Sequence, residues 1–332
     1  MKGVIIPVVF IFFMVNACNS NKFDVDISNI KVDLNIKRLD LDLMHNYPDT
    51  PDVYKLINDY GSFLELYGYQ VLQIGGVNER EFGKLLLDFN KYCQDFNIPT
   101  KIEQQFGNFS ETKIKLETAL KYYKYYFPEK SLPQVYAYYS NFSQSIITDV
   151  GLVGIGLDKY LGADCELYSR LGFDNYKVRR MHKEMLPVDF MRALALSEFP
   201  YHDSTDNLLN QIVYEGKIQY FLDAMLPNIA DSLKFAYTKD QMDWAMHNEG
   251  EMWAYLIDSQ TLFTTDALII RKMIGDGPFT SLFANNSAPR AGAFLGWKIV
   301  HNYMEYNSEV SLPQLMSDSD YQGILNKARY KP

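Results

Sequence analysis

The hydrophobic pattern divides the chain into unlike stretches. From Val4 to Val15 every residue is apolar, with Lys2 before it and Asn16-Ala17-Cys18 and further polar residues after it. A positive start, a short apolar run and a small residue before the break describe a secretory signal peptide. Its twelve apolar residues fall short of the roughly twenty that a membrane-spanning helix needs. Residues 19–30 read as a short polar tether with little periodicity. From Lys31 to Met44, Val32, Leu34 and Ile36 and then Leu39, Leu41 and Leu43 alternate with polar residues. That period of two predicts a strand with a break near Lys37-Arg38.

Helical periodicity follows. Val53, Leu56, Ile57, Tyr60, Leu64 and Tyr67 share one face of a helix begun near Pro51. Asn78 and Glu81 have capping-box spacing and open a helix through Phe82, Leu85, Phe89 and Tyr92. A third helix runs from about Ser110 to Phe127 and stops at Pro128. The middle of the chain differs. Val135–Tyr139 and Ser145–Leu157 are rich in aromatic and β-branched residues and punctuated by Gly151, Gly154 and Gly156, which predicts two or three strands in a small sheet. Helices then return over Leu186–Glu198, Asp206–Ala224 and from Thr238, where Gln241 completes a capping box. Further helices start near Thr265, at Ser287 with Pro289 in the first turn and running to Tyr306, and near Ser319. The expected fold is α+β, mainly helical, with a small sheet in the middle. The expected organisation is a signal peptide over 1–17, a tether over 18–30 and one globular domain over 31–332, with a sub-boundary near 130 as the alternative.

Composition narrows the function classes. With 47% hydrophobic and 15% aromatic residues the body can build a substantial core and is not a disordered stalk. The formal charge is −9 and no basic stripe exists, which argues against nucleic acid as a partner. Cys18 directly follows the small Ala17, as in a bacterial lipobox, where the thiol is acylated and becomes the first residue. The expected anchor is therefore a covalent lipid on Cys18, and no other cofactor is expected. Cys93 and Cys165 remain, as a disulfide or as two free thiols.

Catalytic signatures are few. Gly154-x-Gly156 completes neither a dinucleotide fingerprint nor a Walker sequence, and Asp158 beside it would oppose a phosphate. No G-x-S-x-G elbow occurs. None of His45, His182, His202, His247 and His301 opens His-Glu-x-x-His. His247 with Glu251 and His301 with Glu305 stand one helical turn apart, a spacing that more often makes a solvated contact than a metal site. Glu215 stands out: it lies in an otherwise apolar helix and is followed by Gly216, a residue costing about 1 kcal/mol in a helix interior. Such a pair suggests close packing against another element or an acid held over a cleft. A buried ion pair is the structural alternative.

These residues carry a resemblance. Val150–Gly162, Tyr214–Pro227, Asn248–Tyr255, Asp276–Phe279 and Pro289–Tyr303 resemble the GldB-type gliding-motility lipoproteins of Bacteroidetes, over essentially the whole mature chain. The order of strands, helix, Glu-Gly-x-x-x-Tyr-Phe helix and Gly-Trp-Lys-Ile-Val helix is also distantly similar to predicted zinc peptidases of the gluzincin type. That likeness implies a peptidase-like (zincin-like) helical body and places Glu215 at the third-ligand position. The helix that should supply the histidines reads Leu186-Pro-Val-Asp-Phe-Met-Arg-Ala-Leu-Ala195, so no metal site is expected.

The resemblance implies a non-enzymatic lipoprotein of the motility and associated secretion machinery, membrane-anchored and facing the periplasm, with protein partners in that apparatus. A vestigial cleft would hold Glu215, Asp189, Arg179, Arg180 and His182. Two alternatives stand beside it. One is a periplasmic hydrolase in which Asp189 and Glu215 divide acid and base roles. The other is a ligand-binding module unconnected with movement.

Overall fold

A computed structural model describes residues 21–46, 52–202 and 205–332. The apolar run, Cys18, the start of the tether and Pro51 lie outside the described residues. The architecture is α+β and mainly helical, with one four-stranded mixed sheet. Its strands are β1 (Ile36–Arg38), β2 (Gln134–Tyr138), β3 (Ile146–Asp149) and β4 (Leu152–Gly156), in the order β1-β2-β4-β3. β1 and β4 run parallel to β2, and β3 returns antiparallel to β4 through a turn at Gly151, whose φ is +70°.

The sheet is predicted correctly except at its first strand, which is only three residues long. Leu39–Leu41 is helical and a wider helical turn follows over Asp42–Asn46. Leu39 and Leu43 are fully buried one helical turn apart, so the apolar spacing there serves a helix as well as a strand. Arg38 holds the buried Asp40 through two hydrogen bonds and fixes the corner.

The first helical region contains α1 (Val53–Tyr60), α2 (Phe82–Asp95), α3 (Ile98–Phe106) and α4 (Ser110–Tyr126). The face read from Val53 to Tyr67 exists, but Gly61 at φ +54° breaks it into α1 and a shorter helix, Ser62–Leu66. The capping box at Asn78 and Glu81 does not form. Backbone amides of the preceding turn are taken instead by Glu65 and Glu79. Phe63 stacks on Tyr136 of β2 at 4.1 Å between ring centroids. Gly154 on β4 leaves room for that ring, since a Cβ there would stand 2.8 Å from Phe63 Cε2.

The second helical region contains α5 (Leu186–Glu198), α6 (Leu208–Met225), α7 (Lys239–His247), α8 (Glu249–Asp258), α9 (Ala267–Ile274), α10 (Ala291–Tyr306), α11 (Leu312–Ser317) and α12 (Tyr321–Ala328). The Thr238–Gln241 capping box is present. α10 starts three to four residues later than the sequence predicts, because Arg290 adopts φ 52° and Ser287 is hydrogen-bonded to Thr280. α6 is buried along nearly its whole length and packs against α5, α10 and α12. It crosses α10 closely at Gly216, where an added Cβ would stand 2.2 Å from the Gly296 backbone of α10. Among the described residues no helix is long and apolar enough to cross a membrane.

Residues 21–34, expected to begin as a free tether, lie along α4. Tyr122 donates to Asp24 (3.0 Å), Asp33 pairs with Lys113 (3.1 Å) and the Leu34 amide donates to Glu117 (3.0 Å). Apolar residues add to these bonds: Phe23 and Leu34 are buried, and Val25, Ile27 and Val32 pack partly against the core. The alternation Phe23-Asp24-Val25-Asp26-Ile27 is thus a signal that the tether reading misses.

Candidate functional site

The first turn of α5 and the segment before it supply the cleft residues. Asp189 stands in that turn, partly accessible, beside a cleft lined by Lys159, Tyr160, Lys177, Arg180 and Asp276. Tyr160 donates to Asp189 Oδ2 at 3.0 Å. Burial pushes the Asp189 carboxyl above its usual range, opposed by the charge of Arg180 and by that hydrogen bond. Arg180 reaches across to Asp276 at 2.8 Å. Lys177 is paired with Asp174 at 2.8 Å, and Lys159 donates to the Phe142 carbonyl at 3.2 Å. The cleft is thus polar and largely neutralised from within.

Of the predicted cleft residues, Asp189 and Arg180 come together, and His182 is close enough to favour the charged form of Asp189. His182 itself bonds Glu184 at 2.8 Å. Arg179 is exposed and lies outside the lining.

Glu215 is also outside it. Arg192, one turn after Asp189 on α5, donates through Nη2 to Glu215 Oε1 (3.0 Å) and Oε2 (2.7 Å). Arg290 donates to Oε2 at 2.6 Å. Burial raises the Glu215 carboxyl, but the two guanidinium groups outweigh it and hold the group below its ordinary value. Burial also lowers the Arg192 guanidinium, whose Nη1 is buried without a hydrogen-bond partner. Asp189 and Glu215 therefore do not face each other as an acid and base pair. Both are partly buried, but Asp189 lines the cleft, whereas Glu215 is the centre of an ion cluster outside it.

That cluster does not fit a zinc site. Both Glu215 oxygens are taken, two cations stand where an ion would sit, and α5 offers no imidazole. Among the described residues no group of three or more His, Cys, Asp or Glu side chains is arranged to hold a metal. Arg192 and Arg290 were not among the predicted residues. Arg192 could have been flagged as the one cation inside the apolar run Phe190–Leu196.

α6 carries two further buried ionic groups. Lys217 donates to the Asp318 carbonyl at 2.6 Å, and burial lowers it to about 8. Asp223 accepts from Lys234, from Trp297 Nε1 at 2.6 Å and pairs with His301 Nε2 at 2.8 Å. His301 therefore partners Asp223 on α6. Elsewhere, the buried Asp158 carboxylate accepts from the amides of Ser140 (2.9 Å) and Phe142 (2.6 Å). It fixes a loop in which Asn141 and Phe142 both adopt positive φ. Cys93 and Cys165 are free.

Compared with known proteins, residues 20–332 match the family profile described as gliding motility protein GldB. No curated protein matches the chain, and no solved structure does.

Proposed function

Since the chain belongs to the gliding motility protein GldB family, we propose that it is a lipid-anchored, non-enzymatic component of the gliding machinery and its associated protein secretion. In this reading Cys18 carries the lipid, the body faces the periplasm, and the helical body is a peptidase-like scaffold without its ligands. The body acts as a scaffold or binding component for protein partners of that apparatus.

The observation that carries the reading is the state of Glu215. A carboxylate clamped by the guanidinium groups of Arg192 and Arg290 already has its charge matched by two cations that would repel a metal ion, and it has no proton to give at neutral pH. The carboxylate-pair hydrolase loses its second member by the same contacts. Asp189 alone cannot divide acid and base roles on a glycan.

Complementation of a gene deletion tests the proposal. Asp189→Asn should restore colony spreading and secretion of a reporter, and Cys18→Ser should restore neither. A stably folded, membrane-located Asp189→Asn protein that fails in both assays would point to chemistry in the cleft. Stoichiometric zinc in protein purified free of added metal, lost in Glu215→Ala, would overturn the non-enzymatic reading. If the deletion itself leaves spreading and secretion intact, the binding module unconnected with movement is the better account.

A further inference from the structure

The docked N-terminal segment restricts how the body can sit on a membrane. Asn21 donates through Nδ2 to the Pro227 carbonyl at 2.7 Å, just past the end of α6. Phe23 is 7% exposed, its ring 5.0 Å from Tyr220 and 6.2 Å from the His301 ring, both edge-on. Lys22 lies 5.0 Å over the Tyr220 ring. Cys18 precedes Asn21 by three residues, a span of about 10 Å when fully extended. An acylated Cys18 would therefore hold the surface around Asn21 and Pro227 within that reach of the lipid.

A groove opens on this same surface. It runs between α4 and the turn after α6 and is lined chiefly by Ile114, Ala119, Tyr122, Leu226, Pro227 and Ile229. Its walls are the elements that the strap holds: Tyr122 bonds Asp24, and Pro227 bonds Asn21. No carboxylate lines it. Ile114 at its mouth is 61% exposed. Lys115 on its rim, paired with the exposed Glu111 at 2.7 Å, and Lys22 on the strap, lying over the Phe23 and Tyr220 rings, carry long apolar stems with charged ends, a type of side chain that lies comfortably at a headgroup layer.

We propose that this groove is the face the protein lays on the bilayer, with Ile114 and Ile229 entering the headgroup region beside the lipid anchor. The proposal rests on acylation of Cys18, and it adds an orientation that acylation alone does not give. A body on a free tether has no preferred face. With the strap docked, the surface near Asn21 and Pro227 is held within reach of the lipid, and the opposite end of α6 is not. That end, where the Leu208 amide bonds Thr264, lies roughly 25 Å along the helix from Pro227. Leu268, 68% exposed and four residues after Thr264 in the first turn of α9, supplies the control position.

The test uses full-length acylated protein in which Cys165→Ser removes the accessible thiol. Ile114→Cys, Ile229→Cys and Leu268→Cys are labelled in turn with an environment-sensitive fluorophore. The proteins are placed on vesicles of phosphatidylethanolamine and phosphatidylglycerol carrying nitroxide lipids. Labels at 114 and 229 should shift to the blue and lose intensity to the nitroxide, and the label at 268 should do neither. Protein that floats with vesicles while 114 and 229 stay unquenched overturns this orientation and leaves the anchor reading intact. Protection of position 114 in native envelopes without quenching on vesicles would likewise overturn it, by assigning the groove to a protein partner. Failure to float at all overturns the anchor reading and the orientation with it.

Discussion

Two buried carboxylates show how the surroundings decide a residue's role. Glu215 shares two guanidinium groups and stays charged, whereas Asp158 has only amides, a hydroxyl and a distant Lys159 to offset full burial, which raises it to about 6. The sign of its pH effect follows. The folded state binds more protons than the unfolded one between roughly pH 4 and 6, so this contribution to stability is fully present below about pH 4 and is lost as pH rises through about 6. Asp158→Asn removes the titration and keeps the shape. The wild-type melting temperature minus that of Asp158→Asn should be largest near pH 4, shrink to pH 6 and stay level above it, as thermal unfolding across that range would show. Glu215→Ala is a harsher change, leaving two buried arginines without a counter-charge. A loss of about 3–5 kcal/mol is expected. Denaturant unfolding would measure it, and an unchanged midpoint would mean that the cluster does not hold α5 and α10 to α6.

At the scale of elements, the α6–α10 crossing depends on paired glycines. Gly216→Ala and Gly296→Ala each push a methyl into opposing backbone, with Ile212 O only 1.8 Å from the added Cβ at Gly296. Overpacking of this kind costs about 1–3 kcal/mol or more. Gly250, within α8, has no atom nearer than 3.9 Å to an added Cβ, so Gly250→Ala should instead stabilise by up to about 1 kcal/mol. Opposite shifts of the unfolding midpoint are the expected result. The Glu215-Gly216 dipeptide made this packing legible before the partner helix was known, because a glycine in a buried helix needs a reason. α5 and the Thr238 cap were equally legible from periodicity and local spacing. What sequence could not show is long-range pairing. Arg192 and Arg290 lie 23 and 75 positions from Glu215, and nothing in the local pattern around either names its partner. Leu39–Leu43 failed for another reason, since its spacing fits both periods.

For the molecule as a whole, α6 acts as a hub whose charged residues bind its neighbours at different points: Glu215 takes α5 and the start of α10, Lys217 the end of α11, and Asp223 the middle of α10. The strap closes over the last of these, with Phe23 against Tyr220 and His301. Leu34 is buried next to β1, and Val25, Ile27 and Val32 pack only partly against the core, so Phe23 is the one buried side chain of residues 21–30; the hydrogen bonds and the exposed ion pair contribute little each. Phe23 should therefore be the residue on which docking of the strap depends. A Phe→Ala change in a core costs about 3–5 kcal/mol, but here the loss can be met by local opening, because β1 at residue 36 fixes the chain beyond the strap. Phe23→Ala is expected to speed amide exchange over residues 21–34 and tryptic cleavage at Lys22 and Lys31, with little change in the melting temperature. A melting temperature that falls as far as the core substitutions lower it would make the strap part of the cooperative fold. With the strap open, the span between Cys18 and the first fixed residue grows from three residues to about eighteen. The body would then gain freedom to turn on its anchor, so membrane contact at Ile114 should weaken in Phe23→Ala while flotation persists.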